Sequence, residues 1–271
     1  SMGSVKVKPV TSRLNTGFAL PEIEVFERAI DDKTRALVET NPSNPTGRVY
    51  SEKVLRQIGE LVKKYDLFLI VDEVYREFCF DGHSFFSALR LEGLEEHVVV
   101  VDSISKRYSA CGARIGTIAT RNKNLLHVLS QYSQQRISPG ILGQVMGEAL
   151  LNMNDEYITE VAKAYDRRRK LVFKRLQAMP GVKSYLPGGA FYCFVELPVD
   201  DAFEFCKWLL SSFVHKEQTL MIAHGAAFYA SPGLGKKEAR LAYVIGEEAL
   251  DQAMDCLEEA LLVYPGRTHK L

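Results

Sequence analysis

The chain has 271 residues, 46% of them apolar and 25% charged, with thirty-four basic side chains against thirty-four acidic ones. This describes a globular protein of about two domains, and zero net charge removes the global field that would draw it to nucleic acid, an anionic membrane or an acidic partner. Five cysteines without any short paired spacing argue against a disulfide framework or a zinc site and for a reduced, cytoplasmic setting. The histidines form no i, i+4 pair flanking a glutamate, so no metal is expected. No apolar run reaches the length of a membrane span. Ser1-Met2-Gly3-Ser4 lacks the basic start and apolar core of a signal peptide and is expected to be an expression remnant.

In chain order, Val5 to Val10 is predicted as a short strand and Asn15-Thr16-Gly17 as a turn. Pro21 fits the first turn of a helix carrying Ile23, Phe26 and Ile30 on one face. Ala36 to Glu39 is a short strand running into Thr40-Asn41-Pro42-Ser43-Asn44-Pro45-Thr46-Gly47. Two Asn-Pro steps and a glycine can continue neither strand nor helix, so this is a stiff loop with its amide side chains held in set directions. Ser51 caps a helix from Glu52 to Tyr65 with Val54, Leu55, Ile58, Leu61 and Val62 along one stripe. Leu67 to Val71 and Val98 to Val101 are fully apolar, as buried parallel strands are, and each ends in an aspartate, Asp72 or Asp102. Ile115 to Ala119 is one more strand, giving five candidates for a first sheet in an α/β layer architecture.

Beyond Arg121 the pattern is helical: Asn124 to Ser133, a helix opened by Ser138-Pro139-Gly140 and running through Leu151, and a long helix capped at Asn154-Asp155 and running to about Ala178. The Arg167-Arg168-Arg169-Lys170 run in that helix invites a phosphate-binding reading, but four consecutive residues fan around a helix, and a solvated face is expected. From Gly181 the pattern is α+β, with strands at Tyr192 to Leu197, Leu220 to Ala223 and Ala239 to Ile245, and helices from Asp201 to about Phe213 and from Glu247 to Leu262. A domain boundary near Asn154 divides the chain into residues 1–154 and 155–271.

Ligands of open α/β sheets bind at the carboxyl ends of the strands. Asp72-Glu73-Val74-Tyr75 and Ser103-Ile104-Ser105-Lys106-Arg107 both stand there, so an acid, a phenol, a lysine and two hydroxyls are expected to converge. A lysine becomes a nucleophile where a neighbouring cation or a dry pocket favours its neutral form. Alone, Lys106 would be a solvated loop charge, the Asn-Pro stretch a rigid turn, and Arg240 a surface strand residue.

Asn41-Pro42-Ser43-Asn44-Pro45-Thr46-Gly47, Asp72-Glu73-Val74-Tyr75, Ser103-Ile104-Ser105-Lys106 and Gly112-Ala113-Arg114-Ile115-Gly116, in that order and spacing, resemble the class I/II aminotransferases of fold type I, the aspartate aminotransferase family. The resemblance runs from about Val5 to the C-terminus. It implies pyridoxal 5′-phosphate as cofactor, and a mostly parallel, here incomplete, large-domain sheet followed by an α+β small domain. Lys106 would bond the cofactor aldehyde and carry a proton. Asp72 would pair with the pyridine nitrogen, Tyr75 and Asn44 with the ring hydroxyl oxygen, and Ser103, Ser105 and Arg114 with the phosphate. Arg240 would grip the substrate α-carboxylate, and Pro187-Gly188-Gly189-Ala190-Phe191-Tyr192 would approach the substrate.

The implied reaction moves an amino group between an L-amino acid, aspartate by default, and a 2-oxo acid in a ping-pong cycle, in a homodimer. A β-eliminating lyase on the same scaffold and a non-catalytic binding module are the alternatives. Family members carry a longer N-terminal part with a phosphate-binding glycine-rich turn and a ring-stacking aromatic residue; neither has a counterpart in these residues, so an N-terminally truncated enzyme is expected.

Overall fold

The computed structural model describes residues 5–269, so the expected expression remnant Ser1-Met2-Gly3-Ser4 lies outside the described residues. The first sheet is built from β1 (Ala36–Thr40), β2 (Phe68–Asp72), β3 (Val98–Ser103) and β4 (Gly116–Thr120), in that spatial order. The β1–β2 and β2–β3 pairs are parallel, while β3–β4 is antiparallel. Parallel neighbours need a crossover, and α2 (Glu52–Lys64) supplies the one between β1 and β2. Ser51 accepts the Val54 amide at its N-terminus, and its buried Leu55, Ile58 and Val62 share a core with Leu69 and Val71 of β2 and Val98 and Val100 of β3. Burying each such side chain contributes about 1.5–3 kcal/mol. Between β3 and β4 there is no crossover helix, only the one-turn helix α3 (Ile104–Arg107) and a 3-10 turn at Cys111–Ala113, so the chain returns antiparallel.

Four strands form this sheet, not five: Val5 to Val10 joins no ladder, and Val5 and Val7 are exposed. Pro9 has no amide to donate, and Lys8 instead reaches the Ala29 carbonyl (3.2 Å) and pairs with Asp31. Pro21 lies just ahead of α1 (Ile23–Ala29), outside its first turn.

Two further helices follow, α4 (Lys123–Gln135) and α5 (Ile141–Leu151), which leave Leu126, Tyr132, Leu142 and Leu151 exposed. The second sheet is antiparallel throughout, with β5 (Lys183–Ser184), β6 (Tyr192–Glu196), β7 (Ala223–His224) and β8 (Glu238–Ala242) in the order β5-β6-β8-β7. The strand expected over Leu220 to Ala223 contracts to two residues, and the one expected to reach Ile245 stops at Ala242. On one face, Cys193, Val195 and Leu241 share a core with α6 (Asp155–Ala178), α7 (Ala202–Ser211) and α8 (Glu247–Val263). On the other, Phe194 meets the rings of Phe18, Phe228 and Tyr229. Tyr75, Phe78 and Phe80, from the segment after β2, also belong to the second core, which fixes that segment against the second sheet. Among the described residues no helix is long and apolar enough to cross a membrane.

The basic run in α6 is not a uniformly solvated face. Arg167, Arg168 and Lys170 are at the surface, but the Arg169 side chain is 0% exposed, bonded to Asp81, Asp166 and the Pro187 carbonyl and stacked on Phe80. A guanidinium can be buried this way because its planar donors meet two carboxylates and a carbonyl together.

Candidate active site

The parallel register sets Asp72 opposite Thr40 on one side and Val101 on the other, so the Asn-Pro loop, the Asp72 turn and α3 all leave the sheet at one edge. Asp72 is half-buried, and its Oδ1 accepts the Val74 amide at 3.1 Å. Burial, joined by the Asp102 charge, lifts its pKa above the usual carboxylate value, against the Val74 hydrogen bond and the attraction of Lys106. Tyr75 is 3% exposed, with its hydroxyl 2.9 Å from that of Tyr192. Burial holds Tyr75 firmly in its protonated form, well above the usual phenol value.

Ser103 is the N-cap of α3: its Oγ accepts the Ser105 amide at 3.0 Å and lies 2.7 Å from Ser105 Oγ and 2.9 Å from the Ile115 carbonyl oxygen. The cap delivers Lys106 half-buried, with Nζ 3.9 Å from Cys111 Sγ and 5.9 Å from the centroid of Phe191, whose ring in turn packs edge-on against Tyr75. Arg107 and Arg76 both engage Asp102 Oδ2, at 3.0 and 3.2 Å, and so offset a carboxylate that would otherwise raise Asp72 further. Sequence reasoning missed this pair of arginines; the charge alternation Asp102…Arg107 at the end of an apolar run was the available signal.

Across the edge, Arg240 sits in β8 opposite Phe194 and Ala223. Its Nη1 donates to Asn44 Oδ1 at 2.9 Å, and its guanidinium carbon lies 4.6 Å from the Tyr192 ring centroid and 4.7 Å from that of Phe228. The guanidinium is thus within cation–π range of two rings, and Nε is buried without a partner, which leaves the Nη edge to act. The loop that presents Asn44 is fixed on both flanks. Fully buried Asn41 accepts the Tyr50 amide at 2.9 Å and donates to the Tyr50 carbonyl at 3.3 Å. Gly47 has φ +72°, and its carbonyl accepts the Gly189 amide at 2.8 Å.

Contacts thus link these residues: Asp72 feels the Lys106 charge, Phe191 joins Lys106 to Tyr75, and Tyr192 joins Tyr75 to Arg240 and so to Asn44. Ser103 and Ser105 pair with each other. Arg114 is not drawn into that pair: it is exposed, in the left-handed region (φ +56°), and donates to the Cys111 carbonyl at 3.0 Å. These residues fit pyridoxal phosphate. Among the described residues the Asp72 carboxylate has no cationic hydrogen-bond partner and suits a pyridinium N–H. Asn44, its Oδ1 taken by Arg240, has Nδ2 left to donate. The serine hydroxyls and Arg114 are suited to an anion.

Residues 6–257 match the family model described as aminotransferase class I and II. The chain is 30% identical over 243 residues to an aspartate aminotransferase of Pyrococcus abyssi, and 30% identical over 241 residues to aromatic-amino-acid aminotransferase 2 of Thermococcus litoralis; each match covers 88% of this chain and 60% of the relative. Among solved structures, the aromatic aminotransferase of Pyrococcus horikoshii superimposes with a TM-score of 0.82 at 31% identity, over 93% of this chain and 66% of that one. The aspartate aminotransferase of Thermotoga maritima gives 0.82 at 29% identity, over 95% and 64%. The chain spans about 60% of the length of these curated relatives.

Proposed function

The chain belongs to the class I and II aminotransferases, a family dependent on pyridoxal phosphate, and from that premise we propose that it forms the catalytic edge of an enzyme that moves an amino group between an L-amino acid and a 2-oxo acid in a ping-pong cycle. The observation that carries this reading is the Arg240–Asn44 bond, made by a guanidinium that lies against the ring of Tyr192, whose hydroxyl meets that of Tyr75. Lys106 would hold the cofactor by its aldehyde, Asp72 by the ring nitrogen, Tyr75 and Asn44 by the ring oxygen, and Ser103, Ser105 and Arg114 by the phosphate. Bound there, the cofactor supplies an electron sink for the pair left when a proton leaves the substrate α-carbon.

Arg240 grips the substrate α-carboxylate with its free Nη edge, in a bidentate pair whose plane the flanking rings fix. That grip would turn the α-hydrogen toward Lys106, whose Nζ, once the substrate amine has displaced it from the aldehyde, is free to take the proton. Phe191, packed between Lys106 and Tyr75, limits water there. Burial raises Asp72, and a cation at the ring nitrogen would draw it back down toward the usual carboxylate value.

Aspartate with 2-oxoglutarate is the first substrate pair we assign and aromatic amino acids the second, because relatives of both names stand at the same identity. A homodimer is the assembly we assign. The test is a titration of the chain with pyridoxal phosphate, borohydride reduction and peptide mapping. An adduct on Lys106, lost in K106A, and amino transfer from aspartate support the reading; adducts spread over surface lysines overturn it.

A further inference from the structure

Tyr192 ends the segment expected to approach the substrate and has no role of its own above, yet two of those roles meet on it. Its hydroxyl is 2.9 Å from that of Tyr75, and the two rings meet edge to face at 5.6 Å. Its ring lies 4.6 Å from the Arg240 guanidinium carbon, with Phe228 at 4.7 Å as the second wall. The side chain is 7% exposed and stands on β6, whose ladder pairs Tyr192 with Ala242, two residues beyond Arg240 on β8. On the other side, the position a Cβ would take on Gly47 is 2.8 Å from the Tyr192 carbonyl oxygen, so the Asn44-bearing loop packs against the same residue. Tyr192 therefore sits on a rigid strand and touches the carboxylate grip, the phenol and the loop that joins them.

Resting on the aminotransferase reading, we propose that Tyr192 is a positioning residue that couples Arg240 to Tyr75: its ring fixes the plane of the guanidinium, and its hydroxyl donates to Tyr75 Oη so that the Tyr75 proton is free for the cofactor ring oxygen. A phenol carries one proton. With Tyr192 as donor, Tyr75 keeps its own for a second acceptor; with the direction reversed, that proton is consumed inside the pair. The Arg240 plane and the Tyr75 proton are then set by one side chain. A change in how Arg240 holds a carboxylate is felt at Tyr75 through a single ring, with no movement of the backbone.

The test uses the whole chain carrying Y192F, Y192L, Y75F or Y75F/Y192F, with two measurements. The first is the pH midpoint of the visible absorption of pyridoxal phosphate bound at Lys106. Donation to the ring oxygen favours the deprotonated chromophore, and the hydrogen bond Tyr75 accepts from Tyr192 polarises its O–H into a stronger donor, so Y192F is expected to raise the midpoint by about half a pH unit or more, and Y75F/Y192F no further than Y75F alone. The second is calorimetric binding of succinate to the chain without cofactor. Y192F should bind within twofold of the native chain, and Y192L about two- to fivefold more weakly, from loss of the ring face on Arg240.

With the native band present, an unmoved midpoint in Y192F overturns the coupling and leaves the aminotransferase reading standing. Equal succinate binding in Y192L overturns the ring's hold on Arg240. A native chain that gives no Lys106-bound chromophore overturns the aminotransferase reading and the hydroxyl link with it. A merely structural Tyr192 would lower the unfolding midpoint in Y192L and leave the pH midpoint of Y192F where it was.

Discussion

Replacing Arg169 by methionine keeps most of the apolar stem and removes the charge from a side chain that is 0% exposed. The guanidinium donates to Asp81 at 2.6 and 2.9 Å, to Asp166 from both Nε and Nη2, and to the Pro187 carbonyl at 2.7 Å. Removing one partner of a fully buried pair costs about 3–5 kcal/mol. Here Asp81 is 41% and Asp166 29% exposed, so both can rehydrate, and the electrostatic loss falls to about 2 kcal/mol. The Pro187 carbonyl, left without its donor, adds about 1 kcal/mol. R169M is therefore expected to lose about 3 kcal/mol at pH 7, read from urea unfolding followed by the fluorescence of Trp208, the one tryptophan in the chain.

The same variant carries a pH signature. The hydrogen bond from Arg169 holds Asp81 below the usual carboxylate value; at Asp166 burial works upward but is outweighed by hydrogen bonds from Lys170 and Arg169. A lowered folded pKa means stability that is fully present above about pH 4, the unfolded value, and lost as pH falls through the folded values. R169M should flatten that acid decline. A loss under about 1 kcal/mol with an unchanged acid slope would return Arg169 to the solvated face expected for the run as a whole.

Three other substitutions test the local arguments. Burial raises the Glu39 carboxyl to about 7, so between about pH 4.5 and 7 the folded state holds a proton that the unfolded state has released, and stability falls as pH rises; E39Q should remove that decline in urea unfolding compared at pH 5 and pH 8. Asn41→Ala leaves the Tyr50 amide and carbonyl unpaired in a buried setting, an expected loss of about 2–3 kcal/mol visible in the same assay; a change within experimental error would show that water replaces the amide. Gly47→Ala forces a Cβ to 2.5 Å from Pro187 Cβ at φ +72°, and thermal unfolding should shift down by several degrees; an unshifted midpoint would mean that the loop and the Pro187 turn separate without cost.

The sequence could place its candidate residues because they lie at strand ends. Leu67 to Val71 and Val98 to Val101 could be read as buried parallel strands from composition alone, and the residue after such a run stands at the sheet edge wherever the rest of the chain goes. The Ser51 cap and the long α6 were legible for the same local reason: a cap and a 3.6-residue stripe depend on neighbours within a turn. Local pattern was insufficient where the outcome hung on a partner. Val5 to Val10 alternates as a strand should, but found no edge to pair with, since Lys8 and Pro9 tie it elsewhere. Arg169 looks identical to Arg167 and Arg168 in sequence, and is buried because Asp81, 88 residues earlier, meets it.

By itself, then, the sequence determined the alternation of strands and helices, the Asn-Pro loop, and the strand-end positions of Asp72 and of the Ser103–Lys106 stretch, all consequences of interactions short along the chain. Only the tertiary structure decided that Arg240 would bond Asn44, 196 residues away, that Tyr192 would lie between Arg240 and Tyr75, and that β4 would run antiparallel. Those contacts join residues whose separation in sequence carries no periodic signal; they exist because two sheets pack against the segment after β2, and burial of Tyr75, Phe78 and Phe80 in the second core brings the two halves of the site together.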